Sequence, residues 1–484
     1  MLAALPLLIP LGTALLCALL HQAPHWQRRV SLGGALLLLV AAWQLFAAVT
    51  AGGAVVLQAG NWPVPYGIEL VADRLGCALV LVAAVMLCIV LLWQQSAADR
   101  APEGASFYPL LHGLVAGAGA AFVTADLFNL YVWFELALIC AVGLLACGGA
   151  LRQLDAAFKY LALNLVGTLL LLAAIALLYG ATGHLNFRAL GQALPAVEPG
   201  LLLPLAGLLV IAFLIKAAAF PFFAWLPASY HTLPGPVLAL FSALLTKIGI
   251  CALIRTFGGL LQPVPPQLLT LLGALALLSM VSGVLGAAYH WDMRRILAFH
   301  SISQVGYMLL AIAIGSRLGD ATAIFFALHH SLVKAGLFLC AALIFHQAGH
   351  YDLRRTGGLY ATRPGLALLF LLFALSLVGI PPLSGFWGKY LIVRESLLQG
   401  QFFWAGVALA VGALTFYSML KIWIEAFWKK HPDPDWRPVA TSRLTPAYTG
   451  LTLLLLVTLW MGLFPDTLIG YTLLAADSLR GVSP

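Results

Sequence analysis

The sequence has 484 residues, of which 62% are hydrophobic and only 9% are charged. Soluble globular proteins carry about 25% charged residues, so this chain has too few charges to cover a surface in water. The composition therefore excludes a soluble enzyme or a soluble binding domain and predicts an integral membrane protein. In such a protein, the net charge of +8 indicates basic cytoplasmic loops and not a nucleic-acid partner.

Apolar segments recur along the whole chain, each near the roughly 20 residues that an α-helix needs to cross a bilayer. This pattern predicts an all-α integral membrane protein with about 14 transmembrane helices. The first segment has neither a basic start nor a small-residue cleavage site, so we interpret it as a span and not as a signal peptide. The predicted spans are 2–20, 30–51, 70–93, 108–124, 127–149, 158–180, 201–224, 235–258, 268–288, 296–315, 321–346, 365–390, 402–427 and 446–470.

Basic residues are concentrated in alternate loops between these spans. Because basic residues mark the cytoplasmic side, we predict that both termini face the outer, periplasmic side of a bacterial inner membrane. The even-numbered loops hold only Arg188, Arg255, Arg317 and Arg394. The odd-numbered loops hold Arg28, Arg29, Arg100, Arg152, Lys159, Arg294, Arg295, Arg354, Arg355, Arg363, Lys429, Lys430, Arg437 and Arg443.

Two spans contain residues that break helices. The first reads LIKAAAFPFFAWLP, with two prolines after Lys216, and the second reads SLVGIPPLSGFWGKYLI, with a Pro-Pro pair and two glycines before Lys389. Proline removes a backbone donor and clashes with the preceding turn, so both helices should break inside the membrane. A pair of interrupted spans in corresponding positions indicates a transport site. The alternative is a simple packing kink, which leaves the lysine beside each break unexplained.

Five ionisable residues lie inside the predicted spans, namely Glu135, Lys216, Lys247, Lys334 and Lys389. Each costs about 2.5–3.5 kcal/mol at a helix centre, and such residues usually mark an ion or proton pathway. The alternative is that the ammonium groups extend to the membrane surface, which fits poorly for lysines near mid-span. Four lysines face one carboxylate, and burial favours the neutral form of an amine, so we expect some of these lysines to exchange protons.

Histidines extend this set of groups. In FALHHSLVKAGLF, His330 and Lys334 are four residues apart on one helical face, with His329 about 100° round the helix. Histidine titrates near neutral pH and suits a proton shuttle between lysines. The alternatives are a haem ligand and a core histidine bonded to a carbonyl. His300, on another span, is a weaker candidate for the same shuttle.

The sequence contains no Walker loop, no HExxH and no nucleophile elbow in a plausible context. Its seven cysteines lie in or beside apolar spans without C-x-x-C spacing, so we interpret them as small packing residues. We therefore expect no resident metal and no cofactor. Oxygen ligands for a Na⁺ ion are limited to Glu135, Asp126 and the hydroxyl groups of serine and threonine.

Six segments follow one another along the chain: DLFNLYVWFELAL, FKYLALNLVGT, IKAAAFPFFAWLPASY, ALLTKIGI, HHSLVKAGLF and GIPPLSGFWGK. Together they closely resemble the D subunit of the Mrp multisubunit cation/proton antiporters. That family shares a superfamily with the antiporter-like membrane subunits of respiratory complex I and of membrane-bound hydrogenases. The resemblance extends over roughly residues 70–470.

The resemblance implies two inverted five-helix repeats, each with a broken helix. It implies N-terminal helices over 1–107, a first repeat over 108–258, a second repeat over 268–427, and a cytoplasmic loop with a final helix over 428–484. It also implies a proton axis whose members are Glu135 paired with Lys216, then Lys247, then His330 and Lys334 linking the halves, and Lys389 at the end.

The leading hypothesis is the proton-translocating membrane subunit of a multisubunit Na⁺/H⁺ antiporter, with other membrane subunits as partners and H⁺ and Na⁺ as transported ions. A second hypothesis is a proton-pumping subunit of a complex I-like dehydrogenase or a membrane-bound hydrogenase. A third is the membrane subunit of a two-component inorganic-carbon uptake system. A purely structural membrane scaffold is the remaining alternative, and it leaves five buried ionisable residues unexplained.

Overall fold

The computed structural model describes residues 1–96, 98, 99, 101, 103–439 and 444–481 and is almost wholly helical. Two of the basic loop residues, Arg100 and Arg443, lie outside the described residues. Within that part of the chain, 12 helices are long and apolar enough to cross a membrane, and Phe107–Val123 and Pro364–Val378 are shorter apolar helices. The predicted all-α membrane fold is confirmed.

The N-terminal part consists of three helices and one β-hairpin: α1 (Leu5–Leu19), α2 (Pro24–Gly52), β1 (Val55–Gln58), β2 (Glu69–Ala72) and α3 (Arg74–Trp93). The hairpin is antiparallel, with Val55 opposite Ala72. The prediction of a span from residue 70 was wrong at its start, because composition alone does not distinguish a short strand from a helix. Asp73 then begins α3 by accepting a hydrogen bond from the backbone N–H of Gly76.

Two successive sets of helices repeat one order of elements: two helices, a helix of 32 residues, a broken helix and a further helix. The first set is α4 (Phe107–Val123), α5 (Leu127–Ala146), α6 (Leu151–Thr182), a short α7 (Phe187–Ala193), the broken pair α8 (Pro199–Ala217) and α9 (Trp225–Tyr230), and α10 (Gly235–Arg255). The second set is α11 (Pro266–Tyr289), α12 (Met293–Ala313), α13 (Arg317–Ala348), a short α14 (Leu359–Thr362), the broken pair α15 (Pro364–Val378) and α16 (Ser384–Leu398), and α17 (Phe402–Trp423).

In each set, backbone hydrogen bonds join the end of the long helix to the start of the second helix. The N–H of Leu127 donates to the carbonyl of Leu185 at 3.0 Å, and the N–H of Met293 donates to the carbonyl of Tyr351 at 2.9 Å. Asp126 caps α5 by accepting from the N–H of Asn129, so its carboxylate has a structural role at that helix end.

Two helices follow the second set: α18 (Thr445–Leu463) and α19 (Pro465–Leu479). The sequence predicted one span over 446–470, but Pro465 cannot continue the ladder of backbone hydrogen bonds and begins a separate helix. Two ion pairs attach α19 to the start of α13, Arg317 with Asp477 and Arg480 with Asp320. The most central helices are α10, α12 and α13, which are almost completely buried.

Candidate functional site

The first broken helix positions Lys216 in the last turn of α8. The helix ends because Ala218 adopts the left-handed conformation, with φ of 57°, and proline follows at position 221. The indole N–H of Trp225 bridges the break by donating to the carbonyl of Ile215 at 2.9 Å. The ammonium of Lys216 is therefore fixed beside a segment of irregular backbone.

Lys216 is buried, and its ammonium contacts the long helix α6. Its Nζ donates to the hydroxyl of Thr168 at 2.8 Å and to the carbonyl of Asn164 at 3.3 Å. It also lies 5.7 Å from the centre of the Phe134 ring, on α5. These partners are neutral, so the ammonium has hydrogen bonds but no adjacent countercharge in this arrangement.

Glu135 follows Phe134 on α5 and is half-buried. No carboxylate oxygen lies within 4.0 Å of the Lys216 ammonium among the described residues, and Oε1 of Glu135 is buried without a hydrogen-bond partner there. Phe134, the residue before Glu135, lies with Lys216 on the wall of one small cavity. The pairing of Glu135 with Lys216 stays a prediction, because the described residues form no ion pair between these two groups in this structure.

Lys247 lies in the middle of α10 and is fully buried. Its Nζ donates to the carbonyl of Ser242 at 2.6 Å. The neighbouring helix α13 packs directly against this region, since the hydroxyl of Ser331 donates to the carbonyl of Ala243. This packing brings Lys247 into electrostatic range of both His330 and Lys334.

His330 and Lys334 are fully buried on α13, four residues apart as the sequence indicated. Both ring nitrogens of His330 and the Nζ of Lys334 have no hydrogen-bond partner among the described residues. A buried polar group without a protein partner generally binds water. His330 and Lys334 are therefore suited to passing protons through water between Lys247 and the second set of helices.

His329 points from α13 to the second broken helix. Its Nδ1 lies 2.8 Å from the hydroxyl of Ser384, which is 3.0 Å from the hydroxyl of Ser376 across the break. The backbone at Gly385 approaches the imidazole closely, because a Cβ on Gly385 would lie 3.1 Å from Cε1 of His329. Glycine at position 385 is thus required by packing.

Lys389 lies in α16, beyond the second break. Its Nζ donates to the carbonyls of Leu377 and Val378 at 3.0 and 2.8 Å, so the ammonium caps the last turn of α15. It also lies 4.8 Å from the centre of the Tyr307 ring. A cavity of about 430 Å³ reaches this lysine from the surface.

The second set has a further buried polar line on α12. Nε2 of His300 lies 3.0 Å from the hydroxyl of Ser418 on α17, and one turn later both polar atoms of the Gln304 side chain are buried without a partner among the described residues. His300 is in electrostatic range of Lys334 and Lys389. The sequence placed His300 among the candidates but missed Gln304, which a count of buried polar residues at helical spacing could have found.

A larger cavity, of about 1120 Å³, opens at the junction of the two sets. It reaches the first break at Phe223 and Ala224, and its wall carries His231, Arg294 and Arg295. Some charged side chains on this wall are paired with each other, such as Lys159 with Asp155 at 2.6 Å. The break beside Lys216 is therefore close to a wide polar opening.

Residues 124–415 match the family described as "NADH:quinone oxidoreductase/Mrp antiporter, TM". The chain is 39% identical to the D subunit of the Na(+)/H(+) antiporter of Alkalihalophilus pseudofirmus over 483 residues, which cover 98% of this chain and 96% of that protein. It is 34% identical to the D subunit of the Na(+)/H(+) antiporter of Bacillus subtilis over 479 residues, with 98% and 96% covered.

Two solved structures share the fold over nearly the whole length. A chain of the Mrp complex from Dietzia sp. DQ12-45-1b superposes with a TM-score of 0.90 at 29% identity, covering 99% of this chain and 97% of that one. A chain of the membrane-bound sulfane sulfur reductase, an archaeal respiratory membrane complex, gives a TM-score of 0.90 at 26% identity with the same coverage. The chain belongs to the family of NADH:quinone oxidoreductase/Mrp antiporter transmembrane subunits.

Proposed function

We propose that this chain is the proton-translocating membrane subunit of a multisubunit Na⁺/H⁺ antiporter. The observation that carries the proposal is a line of buried ionisable side chains through the centre of the fold, several without protein partners among the described residues. A static structural role would require these groups to be paired, since an unpaired buried charge is costly. Relatives named as D subunits of Na(+)/H(+) antiporters support Na⁺ as the exchanged cation.

The proposed proton path runs along one axis, from Glu135 and Lys216 to Lys247, then through His330 and Lys334 to Lys389, with His329 and His300 beside it. When Lys216 leaves Glu135, the ammonium loses its countercharge and its proton is released towards Lys247. Water at His330 carries the proton between the two halves. The polar cavity at the first break gives access from one side of the membrane, and Lys389 is the other end of the axis.

The two halves of the axis correspond to repeat units, which we assign to residues 108–258 and 268–427. We place the chain in the inner membrane of a bacterium with both termini outside, on the basis of the basic residues in alternate loops. Its partners are the other membrane subunits of the antiporter, and the chain is a transport subunit and not an enzyme.

A second candidate is a proton-pumping subunit of a redox complex. The similarity to a chain of the sulfane sulfur reductase, with the same TM-score as the Mrp complex, favours this alternative. Both functions use the same axis and differ in what drives it. The identity of 39% to an antiporter subunit, over nearly the full length, is why we favour antiport.

The test is Na⁺-dependent dissipation of a pH gradient in inverted membrane vesicles. The vesicles are prepared from cells that express the whole gene cluster, so that they hold the complete complex. We expect Glu135→Ala to abolish exchange with the complex still assembled, because Lys216 then has no countercharge. Glu103→Ala is the matched control, since Glu103 forms an ion pair with Arg28 outside the proposed axis and outside both cavities, and its loss should leave exchange unchanged. Exchange that survives in Glu135→Ala would contradict the proposed path, and wild-type vesicles without a Na⁺ response would favour the redox alternative.

A further inference from the structure

The two 32-residue helices carry a polar pair at the same two positions. His330 and Lys334 are the fourteenth and eighteenth residues of α13, and Asn164 and Thr168 are the fourteenth and eighteenth residues of α6. Both pairs are buried and spaced by one helical turn. The first repeat therefore has a neutral pair where the second has a titratable one.

The neutral pair is where the Lys216 ammonium binds. The Thr168 hydroxyl accepts from Nζ at 2.8 Å and itself donates to the Asn164 carbonyl at 3.0 Å, while that carbonyl also accepts from Nζ. Two oxygens one turn apart thus converge on a single ammonium. Glu135, on the neighbouring helix α5, has a buried oxygen without a partner among the described residues.

We propose that Thr168, together with the carbonyl of Asn164, is a second docking position for the Lys216 ammonium. This position competes with Glu135 and sets how often the ion pair is open. The inference rests on the proposed function and adds a positioning residue to it. Thr168 neither gains nor loses a proton in the cycle; its hydroxyl stabilises the ammonium at the moment when the carboxylate does not.

The surroundings of Lys216 allow the movement between the two positions. A cavity of about 20 Å³ lies against the side chain, which is room for about one water molecule. Its wall includes Phe134 on α5, the residue before Glu135, and Asn164 on α6. Tyr160 on α6 also lies on this wall and is the titratable side chain there besides Lys216 among the described residues.

The test replaces the hydroxyl by a methyl group in the intact complex. We expect Thr168→Val to lower the Na⁺/H⁺ exchange rate about tenfold, which corresponds to about 1.4 kcal/mol in the population of the open position. Thr168→Ser keeps the hydroxyl and should restore exchange. The matched control is Thr182→Val on the same helix, whose hydroxyl donates to the Leu178 carbonyl far from Lys216; it should exchange like the wild type.

Competition with Glu135 is tested by a double variant. Glu135→Asp withdraws the carboxylate by one methylene and weakens the closed pair, so we expect it to raise the exchange rate of Thr168→Val. A purely structural role of Thr168 predicts instead that the two losses multiply, and that result would overturn the inference. So would wild-type exchange in Thr168→Val where Glu135→Ala is inactive, whereas activity in Glu135→Ala would contradict the proposed function itself.

Discussion

Gly385→Ala should displace Lys389, the last group of the proposed axis, without removing any ionisable side chain. Gly385 lies in the first turn of α16, where an added Cβ would overlap the carbonyl oxygen of Ser376 and lie 3.1 Å from two ring atoms of His329. Backbone cannot give way as a flexible side chain can, so α15 and α16 must separate by on the order of 1 Å to reach normal contact distances. The second break would therefore open.

The cost follows from the bonds that span this break. Lys389 donates to the carbonyls of Leu377 and Val378 at 3.0 and 2.8 Å, and a displacement of that size takes both bonds beyond hydrogen-bonding distance. A hydrogen bond to a charged group contributes about 1.5–3 kcal/mol, so the loss of one changes the population of the native position about 10- to 150-fold. We expect exchange to fall by at least about tenfold.

The assay is Na⁺-dependent exchange in inverted vesicles, with the amount of assembled complex measured in the same preparation. Gly365→Ala is the matched control, because Gly365 lies at the start of α15 and an added Cβ there meets nothing within 4 Å. An assembled Gly385→Ala complex that exchanges as fast as Gly365→Ala would refute the expected opening of the second break.

Two further predictions concern stability. Arg255→Ala should lower the free energy of unfolding by about 3–5 kcal/mol, because it leaves the buried Asp73 carboxylate unpaired. Arg354→Ala, which removes an exposed ion pair, should lower it by less than about 1 kcal/mol. Thermal unfolding of the complex measures both losses, and equal losses would contradict the expected difference. The hydrogen bond from Arg317 holds the pKa of the Asp477 carboxyl below its usual range. The ion pair between Arg317 and Asp477, which attaches α19 to α13, is therefore present above about pH 4 and is lost as the pH falls further. The protection factors of the α19 amides against hydrogen exchange should therefore fall in acid for the wild type and be lowered already at pH 7 in Arg317→Ala. A variant as protected as the wild type at pH 7 would contradict this.

The burial of Lys216, Lys247 and Lys334 inside the fold could be predicted from the sequence, because a charge inside an apolar run is rare and its cost is known. The two breaks were predictable for a similar reason, since proline acts through its own covalent structure. The structure places helix ends at Ala217 and Val378, next to the predicted breaks. These are local properties of the chain.

The partners of these residues could not be predicted in the same way. Thr168 and Asn164 are ordinary residues of a membrane helix, and only the packing of α8 against α6 brings Lys216 to them. Arg255 was interpreted as a loop residue that reports orientation, yet it lies in the last turn of α10 and binds Asp73, 182 positions away in the sequence. Contacts over such separations depend on the whole fold.

The burial of α10, α12 and α13 has a consequence for biogenesis. Two of these helices carry Lys247, His330 and Lys334, the middle groups of the proposed axis, and all three are buried among other helices of the same chain. Glu135 and Lys389, at the two ends, are only half-buried. For the proposed axis it follows that neighbouring subunits need to cover only these two ends to keep protons from leaking across the membrane during assembly.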